Sequence, residues 1–398
     1  MAVRAPARFW SVFKQSLVSL TVDLAGLIAG AIVASNLDLV QMAPWTIILY
    51  PAILSMRGTV GGIFSGHFST GLHLGTMRPS LLGNTDEFKG LVISLLALSV
   101  IGSSMLWLVA AVVLSVMGVN PIPMLAMLFA TTGLGFVAIL PISTKVIAVG
   151  YRRGLDPDIS SYPIESTVAD VVVTIVYVGL LFLYSQLGQL GLIAMGLFDL
   201  AYVSVIVALA VSRRRDPEFR TIVKESALAL AASSVLVNIT GIVLVNVAEV
   251  IREVRLVYMT YPSIIDTVGD VGAIVGSMLT TKLALGELSP SIKNIGKMMP
   301  EAAGALIASA LMFQVYGLIS AVALGTMGVE ILVRLSLVLL TTNLMATSTI
   351  AVVSFVTACV TYGRGLNPDS FVIPVESALA DSLTTLSLLL SVLVVGLA

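Results

Sequence analysis

Long apolar runs separated by short polar clusters dominate the pattern of this chain. An α-helix needs about 20 apolar residues to cross a membrane core. Segments of that length lie near residues 16–35, 43–66, 90–118, 122–150, 163–184, 190–211, 226–247, 256–281, 302–328, 329–358 and 374–397. Turn residues separate several of them, as in GVNPIP at 118–123. The pattern predicts an all-α integral membrane protein with eleven spans.

Composition agrees with a membrane location and excludes several other classes. Hydrophobic residues make up 58% of the chain and charged residues 11%, and the mean hydropathy is +1.05. Soluble domains carry about 25% charged residues. A net charge of -1 leaves no basic surface for nucleic acid. Cys359 is the only cysteine, which excludes an intrachain disulfide and a thiolate metal site. We therefore expect the lipid bilayer to be a partner and nucleic acid not to be one.

The chain contains an internal repeat. GLDPDISSYPIESTVAD begins at Gly154, and GLNPDSFVIPVESALAD begins 211 positions later at Gly365. YPAILSMRGTVGGIF from Tyr50 aligns at the same offset with YPSIIDTVGDVGAIV from Tyr261, without a gap. Self-similarity at a fixed offset indicates two copies of one structural unit.

The span count predicts how the two copies are joined. Each repeat has five spans, an odd number, so a direct junction would invert the second copy. The additional span near 190–211 restores its direction. We therefore predict a first transport repeat at 1–188, a linker transmembrane helix at 189–215 and a second transport repeat at 216–398. The repeats then run parallel about a pseudo-two-fold axis along the membrane normal. Because both halves of this pseudo-dimer lie in one chain, we expect a monomer.

Basic residues predict the orientation. With a cytoplasmic N-terminus, the inner connections hold seventeen Lys and Arg residues, whereas the outer connections hold two, Arg252 and Arg255. Positive residues concentrate on the cytoplasmic side of membrane proteins. The bias predicts a multi-pass protein of the cell membrane with its N-terminus cytoplasmic and its C-terminus extracellular.

A polar stripe on the fifth span of each repeat is the main candidate site. In both copies, Ser, Asp and Thr recur every fourth residue and so share one helical face. The stripes are Ser166, Asp170 and Thr174, and Ser377, Asp381 and Thr385. A carboxylate at membrane depth is costly unless it faces water, a cation or a partner. The alternative interpretation is that these acids are protonated or hydrogen-bonded to neighbouring Ser and Thr side chains.

The two acids of these stripes are expected at equal depth. Pro163 and Pro374 suit the first turn of a helix, so each Asp should lie roughly 10 Å along its helix. In parallel repeats, Asp170 and Asp381 would then face each other across the axis and need a cation. Oxygen ligands suit a hard divalent ion, and Mg²⁺ is often held by one or two carboxylates while it keeps its waters. The predicted substrate ion is Mg²⁺.

Glu165 and Glu376 allow two interpretations. In the first turn of their helices they would complement the helix dipole. Alternatively, they form a ring at the cytoplasmic mouth of an ion path and concentrate cations there.

Glycines in the middle of the second span also allow two interpretations. RGTVGG at 57–62 and VGDVG at 268–272 either break the helix beside a water-filled path or let helices pack closely. Thr59 and Asp270 occupy equivalent positions there and are candidate ion ligands. The copies differ further, because Arg57 occurs only in the first and Asp266 only in the second.

Taken together, these residues resemble the MgtE magnesium-transport family, most closely its fused two-copy members related to animal solute carriers. The resemblance rests on the Pro-x(6)-Gly run from Pro51 to Gly58, on FSTGLHLG at 68–75, on the motif that ends at Asp170, and on their second copies. It covers nearly the whole chain.

The resemblance implies a pore between the second and fifth helices of two pseudo-symmetric halves. Asp170 and Asp381 match the family's pore acid, which holds hydrated Mg²⁺. The family usually has Asn after the glycine that is Gly58 here, whereas this chain has Thr59 and Asp270.

Two other functions stay open from the residues. A Na⁺- or H⁺-coupled divalent cation exchanger would use further acids such as Asp266, Asp270 or Asp199. An intramembrane aspartyl protease also pairs acids at membrane depth. Its chemistry needs an unlike pair of motifs, however, and Thr267 stands where its Gly-x-Gly-Asp motif has the first glycine. We therefore expect a transporter and not an enzyme.

Overall fold

The computed structural model of the protein is α-helical. It describes residues 5–153, 157–227, 255–366 and 371–395, together with residues 230, 231, 234, 235, 238 and 368. Within these residues all regular secondary structure is helical, with two short 3₁₀ turns and no strand. The predicted all-α class is confirmed.

The helices follow the order of the predicted spans. In the first repeat they are Ala5–Leu20, Gly26–Ser35, Leu37–Val40, Pro44–Leu74, Asp86–Val116, Ile122–Arg152 and Pro157–Leu187. The linker helix is Gln189–Arg213. The second repeat has Arg255–Ala284, Ile295–Ala323, Val329–Gly363 and Val372–Val395. The 3₁₀ turns are Val22–Ala25 and Ile292–Asn294.

Ten of the eleven predicted spans coincide with helices that are long and apolar enough to cross a membrane. The predicted span at 226–247 lies largely outside the described residues. The first span is longer than predicted, because its helix begins at Ala5 and continues after the 3₁₀ turn Val22–Ala25 to Ser35.

The ends of the second and third spans follow from local chemistry. Gly75 and Gly286, at equivalent positions, have φ of 72° and 71° and end the second span in both repeats. This left-handed conformation carries no Cβ penalty for glycine. Thr85 caps the third span of the first repeat, where its hydroxyl accepts a hydrogen bond from the Phe88 amide at 3.4 Å.

The fifth spans correct one prediction. The helix of the first repeat begins at Pro157, six residues before Pro163, so the expectation that Pro163 starts it is wrong. In the second repeat the helix begins at Val372, and Pro374 lies in its first turn as expected. Proline is favoured in a first helical turn but does not itself define the helix start.

The second spans are continuous helices. Pro44–Leu74 runs without a break through residues 57–62, and Arg255–Ala284 does the same through residues 268–272. The interpretation that these glycines break the helix is therefore wrong. These glycines allow close packing, because Gly61 lies against Glu165 and Gly272 lies against Glu376.

The chain forms two compact units by its internal contacts. Unit A comprises residues 32–246, and unit B combines residues 1–31 with residues 247–398. Unit A holds the second to fifth spans of the first repeat and the linker helix. Unit B holds the corresponding spans of the second repeat, together with most of the first span of the chain.

In unit B, the first span packs on the third span of the second repeat, Ile295–Ala323. A Cβ at Gly304 would lie 2.8 Å from the Phe9 carbonyl oxygen, so glycine permits the close approach. Arg8 donates a hydrogen bond to the buried Glu301 at 2.9 Å. The Tyr316 hydroxyl donates to the Leu20 carbonyl at 3.1 Å.

Unit A contains the matching arrangement. The Asn238 side chain donates to the Leu106 carbonyl on the third span at 3.3 Å. A Cβ at Gly102 would lie 3.3 Å from the Leu230 side chain. Residues 230–238 belong to the predicted first span of the second repeat. Each first span thus packs in the unit that holds the other repeat, and the two spans are exchanged.

The linker helix Gln189–Arg213 packs on the third and fourth spans within unit A. Its buried positions are few: Gly191, Met195, Tyr202 and Ile206. Tyr202 is held there by a 2.7 Å hydrogen bond with Ser99. Most of the helix surface is apolar and exposed, as expected for a helix that faces lipid.

Candidate functional site

Asp170 is buried in unit A and forms an ion pair. Nη2 of Arg57, on the second span, donates to Oδ1 of Asp170. Arg57 is 4% exposed and Asp170 is 1% exposed. A buried charge requires a partner of opposite sign, and here the chain supplies one. Asp170, a predicted ion ligand, is therefore already paired with the guanidinium group of Arg57.

The third member of each stripe has the same contact in both repeats. The Tyr50 and Thr174 hydroxyls are 2.9 Å apart, and the Tyr261 and Thr385 hydroxyls are 2.7 Å apart. Thr385 donates its own proton to the Asp381 carbonyl at 2.7 Å, so Tyr261 is the donor to Thr385. These bonds connect the second and fifth spans at equivalent positions in the two repeats.

The glutamates of the fifth spans pack on glycines of the second spans. A Cβ at Gly61 would overlap the Glu165 carboxylate, and one at Gly272 would lie 2.6 Å from Cγ of Glu376. Glu165 is 2% exposed and Glu376 is fully buried. Glu165 lies eight residues beyond the helix start at Pro157, so its assignment to the first helical turn is wrong.

Unit B gathers additional acids around the second span. Asp270 lies within electrostatic reach of Asp23, Asp266 and Glu376. Thr267 donates to Oδ2 of Asp23 at 2.6 Å. All four acids are buried, with exposures between 0% and 6%. Asp381 is also buried, at 5% exposure.

The remaining predicted ligands are buried hydroxyls. Ser166 is 1% exposed and Ser377 is 5% exposed. Thr59 donates to the Ser55 carbonyl at 3.1 Å, which leaves its oxygen lone pairs as acceptors. No group of three His, Cys, Asp or Glu side chains among the described residues is placed to hold a bare metal ion.

Sequence reasoning missed three features of these sites. Tyr50 and Tyr261 were visible in the repeat, because they stand at the same offset as the acids. The pairing of Arg57 with Asp170 and the position of Asp23 among the acids of unit B had no signal in the sequence. Both depend on contacts between residues more than 100 positions apart.

Comparison with known families agrees with this organisation. Residues 50–180 and residues 261–391 each match the MgtE model, described as a divalent cation transporter. The two matches are offset by the same 211 positions as the repeat. No curated protein matches the chain, and no solved structure does.

The matches decide between the classes left open by the residues. They cover more than half of the chain and include both fifth-span acids. The family comprises transporters and not enzymes, which removes the aspartyl protease alternative. The chain therefore belongs to the MgtE family of divalent cation transporters and is a multi-pass membrane protein with two repeats.

Proposed function

We propose that the transported ion is Mg²⁺ and that Asp170 and Asp381 hold it with its water shell. The observation that carries this proposal is the duplication of one buried arrangement. Each acid lies one helical turn before a Thr that is hydrogen-bonded to a Tyr of the second span. A carboxylate buried at this depth in two copies indicates a cation as its partner.

The neighbouring polar groups suit a hydrated ion. Mg²⁺ binds its oxygen ligands at about 2.0–2.1 Å and gives up its water ligands reluctantly. Hydroxyls accept hydrogen bonds from water ligands of the ion, and the stripes supply them on the same face as the acids. The proposed contributors beside the two acids are Ser166, Ser377, Thr174, Thr385, Thr59, Asp270, Glu165 and Glu376.

The two acids have unequal roles in this proposal. Arg57 donates a hydrogen bond to one oxygen of the Asp170 carboxylate. In the second repeat, Val268 stands at the position equivalent to Arg57. An incoming cation therefore competes with Arg57 at Asp170 but meets no such arginine at the position equivalent to residue 57.

Flux into liposomes tests the proposal. Purified protein is reconstituted, and uptake of Mg²⁺, Mn²⁺, Ca²⁺ and Co²⁺ is compared. Asp170→Asn and Asp381→Asn should each reduce Mg²⁺ flux at least tenfold, and the double variant should be little worse, because the acids act on one ion. The matched control is Asp38→Asn, which alters an exposed carboxylate. Near-normal Mg²⁺ flux in a folded double variant would refute the assignment.

A cation-coupled exchanger is the second candidate, and the acids of unit B favour it. Asp23, Asp266 and Asp270 each have a neutral residue at the equivalent position of the other repeat: Ser234, Ser55 and Thr59. The same liposomes separate the two mechanisms. A channel responds only to the Mg²⁺ gradient and the voltage, whereas an exchanger is also driven by an imposed Na⁺ or pH gradient.

A further inference from the structure

Unit B contains a polar cluster that the other copy lacks. Five positions have diverged together across the offset of 211 residues. Asp23, Asp266, Thr267, Asp270 and Tyr316 stand where the other copy has Ser234, Ser55, Met56, Thr59 and Met105. Unit B has acids where the other copy has Ser or Thr, and hydroxyls where the other copy has Met. All five side chains lie inside unit B.

Asp23 is held by a hydrogen bond from Thr267, next to a tyrosine hydroxyl of the third span. Thr267 donates to Oδ2 of Asp23 at 2.6 Å, and the Tyr316 hydroxyl lies 2.9 Å from the Thr267 hydroxyl. Tyr316 in turn donates to the Leu20 carbonyl at 3.1 Å. Asp23 is fully buried. The first span therefore places the Asp23 carboxylate beside the second span, where Thr267 donates a hydrogen bond to it.

Asp270 presents a carboxylate that lacks a donor. It is fully buried, and no hydrogen-bond donor among the described residues reaches either of its oxygens. Asp23 and Asp266 act electrostatically on Asp270. Neighbouring carboxylates cannot all be ionised without a proton or a cation between them.

Glu376 is a further buried acid of this cluster. It comes from the fifth span, is fully buried, and has no hydrogen-bond partner for either oxygen within the described ranges. Its Oε1 would lie 3.6 Å from a Cβ at Gly269, the residue next to Asp270. Arg57 is the single buried Arg or Lys in the part of the chain described, and it belongs to unit A.

We propose that unit B holds a second cation site, in which a divalent ion bridges Asp23 and Asp270. Three or more carboxylates would leave a net negative charge around a monovalent ion, whereas a divalent ion offsets two of them. In this proposal the ion keeps part of its water shell, and these waters donate hydrogen bonds to Glu376. The site needs neither Asp170 nor Asp381.

The proposed ion also has a structural effect. Asp23 belongs to the first span, and Asp270 belongs to the second span of the other repeat. An ion between them links the exchanged span to unit B. Occupancy of this site therefore stabilises the packing of the first span on the second repeat.

Binding of Mn²⁺ to the purified full chain tests the proposal. The parent protein carries Asp170→Asn and Asp381→Asn, so the result does not depend on the two acids proposed to hold the transported ion. Bound Mn²⁺ is counted by electron paramagnetic resonance. The parent should bind one Mn²⁺, and Asp23→Asn should weaken this binding at least tenfold. Asp38→Asn is the control and should bind as the parent does. Unchanged Mn²⁺ binding in Asp23→Asn would overturn the proposal.

Thermal unfolding provides a second measurement on the same proteins. In EDTA, Asp23→Asn should unfold at the same temperature as the parent or higher, because it removes one of several like charges. Mn²⁺ should raise the unfolding temperature of the parent but not that of the variant. Stabilisation by Na⁺ and not by Mn²⁺ would contradict a divalent site. If Asp23→Asn does not fold, Asp270→Thr replaces it, since Thr is the residue of the other copy.

Discussion

The ion pair between Arg57 and Asp170 leads to the most direct prediction. Arg57→Gln leaves a carboxylate that is 1% exposed without its cationic partner. Removing one partner of a buried ion pair typically costs roughly 3–5 kcal/mol. If Mg²⁺ replaces the lost charge, part of this free energy returns on binding. A recovery of about 1.4 kcal/mol corresponds to tenfold tighter binding, so we expect at least a tenfold gain in Mg²⁺ affinity.

Thermal unfolding of the purified variant in EDTA and in Mg²⁺ measures both effects. Arg57→Gln should unfold at a lower temperature than the native protein in EDTA and recover much of the difference in Mg²⁺. Adding Asp170→Asn to it should remove the additional Mg²⁺ dependence, because the uncompensated charge is gone. The matched control is Arg334→Gln. Arg334 forms an exposed pair with Glu330, and exposed pairs contribute about 0–1 kcal/mol.

Two results would refute the reasoning. If Arg57→Gln is as stable as the native protein in EDTA, Asp170 does not depend on Arg57 for its charge balance. If the variant is destabilised but Mg²⁺ restores nothing, even at saturating concentration, the ion does not bind at Asp170.

Two further predictions rest on single contacts, and a third rests on the predicted topology. Gly272→Ala places a methyl group against Glu376 and should destabilise the protein by about 1–3 kcal/mol, as measured by thermal unfolding. The matched control is Gly66→Ala, which adds a methyl group in open space and should leave stability unchanged or raise it. Tyr261→Phe removes a buried hydrogen bond and should lower the free energy of unfolding by about 1 kcal/mol; an unchanged unfolding temperature would contradict this role. A reporter fused after Ala398 should be active only outside the cytoplasm, and cytoplasmic activity would refute the eleven-span topology.

Much of the fold was predictable because a membrane span is a local structure. Every backbone polar group in the bilayer core must be satisfied within its own helix. Hydropathy over about 20 residues therefore identifies each span without knowledge of its neighbours, and ten spans are found where the pattern places them. One helix start was predicted wrongly. The helix of Asp170 begins at Pro157 and not at Pro163, because proline tolerates a first turn without requiring one.

The sequence by itself determined the two repeats, their apolar helices and the duplicated acids Asp170 and Asp381. The apolar pattern of the spans and the constant offset between the repeats are properties of the sequence alone. Only the tertiary structure decided that Arg57 pairs with Asp170, that the first spans are exchanged between the units, and that Asp23 lies beside Asp270. Helices in lipid associate through close packing and single polar contacts. Such contacts join distant positions and leave no periodic trace in the sequence.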